Sequence, residues 1–92
     1  MAERVGRKVR LFGRVQGVFY RQWTLNQARS LGVAGWVHNA RDGSVEAHLE
    51  GDEGTVAEMI ARMKDGPAGA HVDDLTVEEV APEAVKGFSV KL

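Results

Sequence analysis

The 92-residue chain contains no cysteine. That excludes a disulfide framework, a thiolate metal site and a cysteine nucleophile in one stroke. It is also short of net charge, since 12 Lys and Arg stand against 13 Asp and Glu for a balance of −1. Such a chain has no global field for nucleic acid or an acidic membrane, so any anion must be recognised locally. No stretch approaches the ~20 apolar residues of a membrane span. The opening residues Met1 to Arg7 lack the apolar core of a signal peptide, so a cytoplasmic protein is expected. The three histidines, His38, His48 and His71, share no ligand-like spacing. They read as surface residues, and no metal or cofactor is implied. A length of 92 residues suits one domain, residues 1–92, able to bury only about 60–65% of its unfolded surface.

The hydrophobic period alternates between strand and helix along the chain. Residues 8–14 alternate as a strand. A helix follows over about 21–31, with Tyr20, Thr24, Ala28 and Leu31 on one face. Gly32 and Val33 form its C-terminal stop. Strands near 35–40 and 44–50 flank Asp42-Gly43, a hairpin turn pair. Asp52 is placed to cap a second helix, whose Val56, Met59, Ile60 and Met63 form an i, i+3, i+4, i+7 stripe. Gly66-Pro67-Ala68-Gly69 ends it, residues 72–80 read as a fourth strand, and Phe88, Val90 and Leu92 as a short last one. The order is βαββαβ with a fifth short strand. Two interleaved right-handed crossovers give an α+β, ferredoxin-like sandwich: an antiparallel sheet with both helices on one face.

One segment carries more chemistry than the rest: Gly13-Arg14-Val15-Gln16-Gly17-Val18-Phe19-Tyr20-Arg21. It leaves an apolar strand, bends at Gly17 and arrives at a helix start. Backbone amides converge at such a junction and the helix dipole favours negative charge. Arg21 adds a permanently charged planar fork that suits phosphate oxygens. A cation in a first helical turn opposes the dipole unless an anion neutralises it. The segment is neither a Walker A loop nor G-x-G-x-x-G. It also holds no Ser, Thr, Cys or Asp between Gly13 and Arg21 to act as nucleophile. Water is therefore the attacking group if a phosphate is cleaved here. A second segment, Gly35-Trp36-Val37-His38-Asn39, places Asn39 at the end of a strand entering the turn.

With both segments in view, the chain resembles the acylphosphatases, small hydrolases of carboxyl–phosphate mixed anhydrides. That family's patterns, G-x-V-Q-G-V-x-[aromatic]-R and G-W-V-x-N, are matched at 13–21 and 35–39, and the likeness runs over nearly the whole chain. The resemblance implies the ferredoxin-like fold and the hydrolysis of acyl phosphates to a carboxylate and inorganic phosphate. It also implies Arg21 and Asn39 as the catalytic pair. The cradle for the phosphoryl group is expected from Gln16, Gly17, Val18, Phe19 and Tyr20.

The residues bear on mechanism independently. Neither segment offers a carboxylate or histidine that must act as general acid. A carboxylate leaving group, whose conjugate acid has a pKa of roughly 4, departs unprotonated at neutral pH. The site then needs only positioning and charge stabilisation. The expected partners are the acyl phosphate and inorganic phosphate, as product and inhibitor. The protein is expected to be a monomer with no nucleic-acid or membrane partner. The alternative is a non-catalytic phosphate- or acyl-phosphate-binding regulatory module on the same fold. An RNA-binding module fits less well, because Glu46, His48 and Glu50 on one strand face make an acidic platform without stacking aromatics.

Overall fold

The computed structural model describes residues 3–17 and 19–91; Met1, Ala2, Val18 and Leu92 lie outside it. Its elements are β1 (Arg4–Arg14), α1 (Tyr20–Leu31), β2 (Ala34–Asn39), β3 (Val45–Asp52), α2 (Glu53–Asp65), β4 (His71–Val80) and β5 (Phe88–Val90). The sheet order is β4-β1-β3-β2-β5. The expected ferredoxin-like sandwich is present, with one refinement. The first four strands pair antiparallel, whereas β5 runs parallel to β2. The chain after β4 crosses to the opposite edge of the sheet and reverses there, which fixes the direction of β5.

Over its centre the inward face is apolar because register keeps like with like; toward one end Arg7 stands opposite Leu49 and pairs with Glu79. Val9 faces Ala47, Leu11 faces Val45, and Val37 faces Ala47 from the other side. These pack with Leu49 against Tyr20 and Ala28 of α1 and against Val56, Met59 and Met63 of α2. Truncating a fully buried member such as Leu49 or Met59 to alanine costs about 2–5 kcal/mol. The predicted helix faces are the buried ones, except that Leu31 and Ile60 are only half-buried at the margin. At the end of α1 the amides of Gly32 and Val33 bond the Arg29 and Ala28 carbonyls, closing the helix. Asp52 occupies the N-cap position of α2 with extended backbone, but its side chain makes no cap hydrogen bond.

Gly35 is required by close approach. A Cβ there would lie 1.7 Å from the His48 carbonyl oxygen, on a backbone with φ of +140°. The strand carrying Asn39 therefore lies tight against β3 only with glycine at this point.

The outer face of the sheet departs from the sequence reading. His48 is buried, not superficial; its ring stacks on Trp36 at 5.8 Å between centroids. The expected acidic platform is covered, because residues 81–87 cross it and take hold of Glu50. That carboxylate is fully buried and accepts hydrogen bonds from His48 Nε2, Arg4 and the backbone amides of Glu83 and Val85. Between those two amides Ala84 turns left-handed, with φ of +57°. Since a carboxylate only accepts, Nε2 carries the imidazole proton.

Burial opposes ionisation of Glu50, yet His48, the two amides and Arg4 hold its pKa at about 2 against an ordinary 4.5. Glu46 is also held at about 2, by Arg10 and His38 first. A depressed carboxylate stabilises the fold above its unfolded pKa, and that contribution drains away as pH falls through the native value. Glu50→Gln is expected to cost on the order of 2 kcal/mol at neutral pH. Its loss of stability between pH 4.5 and about 2 should also be shallower than the parent's. Urea titrations at pH 7 and pH 3 measure both; an equally steep acid limb in the variant would remove Glu50 from the explanation.

Candidate active site

The ends of several elements meet at one end of the sheet: the last residues of β1, β2 and β5 and the first turn of α1. Between them opens a cavity of about 370 Å³ lined by Val15, Gly17, Phe19, Tyr20, Arg21, Gln22, Asn39 and Val90. Arg21 and Asn39, 18 positions apart in sequence, therefore share one cavity.

The loop from β1 to α1 is shaped by backbone requirements at both ends. Gly13 sits at an irregularity in the β1–β4 pairing, and a Cβ on it would meet the His71 carbonyl oxygen at 2.2 Å. Its role is thus close packing of β4 rather than the bend, which falls at Gly17 with φ of +73°. Phe19 is the N-cap residue of α1 in a left-handed conformation, φ 58° and ψ 24°, with no side-chain cap. Its carbonyl accepts the Trp23 amide, so the helical ladder starts there. The amides of Tyr20, Arg21 and Gln22 precede that ladder and have no helical turn to bond. No acidic residue lies in the first turn. Among the described residues Arg21 forms no ion pair, so the positive end of α1 and the guanidinium stand together without a counter-charge.

The other expected loop residues divide by what their side chains do. Gln16 does not line the cavity; its Nε2 donates to the Ala40 carbonyl at 3.0 Å and to the Ser44 carbonyl at 2.9 Å. It lashes the loop to the turn between β2 and β3. Tyr20 borders the cavity, but its phenol is turned into the core and donates to the Met63 carbonyl, and burial pushes its pKa up. Phe19 is exposed at the rim. Val18 lies outside the described residues.

Asn39 ends β2 opposite Val45. The turn that follows is held by Asp42, whose Oδ1 accepts the Ser44 amide and hydroxyl, lowering the Asp42 pKa. The carboxamide oxygen of Asn39 is buried and has no hydrogen-bond partner among the described residues. Leaving such an acceptor unmatched costs about 1–3 kcal/mol. The site therefore brings a cation and open amides together with Asn39, whose buried carboxamide oxygen is unpartnered among the described residues.

Comparison with known proteins settles the family. The acylphosphatase family model matches residues 7–90. The chain is 54% identical over 79 residues to an acylphosphatase of Rhodopseudomonas palustris (strain BisB5), spanning 86% of this chain and 80% of that one. It is 51% identical over 83 residues to one of Rhodospirillum rubrum, covering 90% and 91%. The crystal structure of acylphosphatase from Bacillus subtilis superposes with a TM-score of 0.93 at 32% identity, over 96% of this chain and 99% of that one.

The chain belongs to the acylphosphatase family.

Membership brings the activity, hydrolysis of acyl phosphates to a carboxylate and inorganic phosphate. Three lining residues were not singled out from the acylphosphatase motifs. Val15 is an ordinary motif residue, whereas Gln22 and Val90 carry no local signal; Val90 arrives through the long-range β2–β5 pairing. Spacing also concealed a cluster at the covered outer face, where His48, Glu50 and Glu83 bring ligand-capable atoms within 4.8 Å of one another. The Glu50 oxygens there are already taken up by the donors named above.

Arg21→Gln is expected to abolish turnover and weaken inorganic phosphate binding while leaving the unfolding midpoint unchanged. Arg21→Lys should restore little, because an ammonium lacks the bidentate fork. Calorimetric phosphate binding and turnover of both variants check this; parental activity in the lysine variant would show that charge alone suffices.

Proposed function

We propose that Arg21 and the loop amides bind the phosphoryl group and that Asn39 positions the attacking water. The observation that carries this reading is that Asn39, its carboxamide oxygen unpartnered among the described residues, lines the same cavity as Arg21. A water between that acceptor and phosphorus satisfies the orphan with one O–H and aims its lone pair inward. Arg21 and the amides at the start of α1, with Gly17 beside them, offset the charge on the phosphoryl oxygens.

In the proposed step a water oxygen bonds to phosphorus as the bond from phosphorus to the acyl oxygen breaks in line. The bonding pair leaves with the carboxylate, and the proton shed by water passes to a phosphoryl oxygen, giving dihydrogen phosphate before solvent equilibration. No general acid is needed, because the departing carboxylate is stable as an anion. Catalysis reduces to proximity and electrostatics. Gln16, though outside the cavity, fixes the distance between its two walls by bonding the loop to the β2–β3 turn.

Removing the Asn39 carboxamide separates chemistry from binding. Asn39→Ala should lower kcat by something like two to four orders of magnitude, with a much smaller change in inhibition by inorganic phosphate. Asn39→Asp sets a negative charge against the incoming dianion, so kcat and phosphate affinity should both fall. Steady-state kinetics with phosphate as competitive inhibitor measure both variants. If Asn39→Ala weakens phosphate binding as much as Arg21→Gln does, Asn39 belongs to the cradle.

Metal dependence offers a separate check. Charge neutralisation is assigned wholly to Arg21 and backbone amides, so turnover should survive exhaustive dialysis against EDTA. Activity lost on chelation and restored by magnesium would transfer the electrophile's role to an ion.

A further inference from the structure

Among the described residues only two large hydrophobic side chains are exposed, Val77 at 45% and Phe19 at 86%. Val77 stands on β4, an edge strand of the sheet. Phe19 stands on the cavity that holds Arg21 and Asn39. Its backbone is left-handed, a conformation that bulky residues adopt only at a cost. The turn itself serves the cradle by presenting amides, but the ring does not. The pattern G-x-V-Q-G-V-x-[aromatic]-R requires no aromatic at this position, so the loop does not need the ring to form.

The cavity, about 370 Å³, reaches the exposed rim where Phe19 stands. Its remaining lining is partly apolar, with Val15 buried in the floor and Val90 half-buried on the β5 side. In-line displacement sends the leaving oxygen to the side of phosphorus opposite the water, away from Asn39. The acyl group leaves the cavity through its open side, on whose margin Phe19 is the exposed large apolar group.

We propose that Phe19 is a specificity-determining residue whose ring packs on the acyl group, so that the site favours aromatic acyl phosphates over acetyl-sized ones. The inference rests on the placement of the phosphoryl group at Arg21 and of the water at Asn39. An aromatic acyl group buries ring against ring in an offset or edge-on contact, which a methyl group cannot do. Free in water, the exposed ring gains from that contact without first breaking another.

The experiment is the ratio of kcat/KM for benzoyl phosphate to that for acetyl phosphate, measured in the parent chain, F19A and F19W. Comparing the ratio between variants cancels the intrinsic reactivity of the two anhydrides. Truncation to alanine should lower the ratio roughly three- to tenfold, and tryptophan should keep it within about twofold of the parent. An unchanged ratio in F19A, including equal losses on both substrates, overturns the role of Phe19. An R21Q control identifies the source of any failure. Turnover that depends on Arg21 with an unchanged F19A ratio refutes the acyl contact alone, whereas turnover indifferent to Arg21 refutes the site reading and this inference with it.

Discussion

Glu50 is withdrawn from solvent, and a carboxylate so placed must be matched donor by donor. Two of its donors are backbone amides from residues 81–87, so satisfying the charge and securing that crossing segment are one event. The segment delivers β5 to the edge of β2, where the Gly35 amide bonds the Gly87 carbonyl and the Lys91 amide bonds the Val37 carbonyl. β5 in turn supplies Val90 to the cavity at the far end of the sheet. The buried charge thus ties down the segment that leads into the last strand, and that strand supplies one wall of the site.

The division of labour at that site follows from what phosphoryl transfer requires. The loop holds no nucleophile and no acid, and on the proposed reading the work falls to fixed dipoles, one guanidinium and one carboxamide. Their value depends on being held still, because positioning groups act only within a narrow range of geometry. The holding is done by residues that are not themselves reactive: Gln16 between loop and turn, Asp42 inside the turn, Gly35 at the β2–β3 contact and the Tyr20 phenol anchored to α2.

How far these features could be read in the sequence depends on the range of the interactions that make them. Elements of strong period were legible, since the stripe Val56, Met59 and Met63 and the strands on either side of Asp42-Gly43 express local repetition. The cavity-lining pair was legible because both residues sit in short, specific patterns. His48 was misread as superficial because its burial comes from Trp36 and a segment more than 30 positions away, which no local period records. The parallel addition of β5, the place of Val90 and the covering of the predicted platform all depend on that same crossing. Gln16 was grouped with the substrate loop by its pattern, whereas its side chain is spent on carbonyls 24 and 28 positions on. Asp52 shows the opposite limit: a good capping residue in the right place whose hydrogen bond is not made.

The Gln16 tether also bears on how the protein comes to be active during folding. Its acceptors, Ala40 and Ser44, belong to a turn that exists only once β2 and β3 have paired, while Gln16 follows a strand that must dock on β3. The tether and the terminal asparagine of β2 are therefore placed by contacts distant in sequence, whose loop closure is costly. A half-folded chain has no half-formed site. Recovery of hydrolysis during refolding then reports the joint pairing of β1 and β2 with β3.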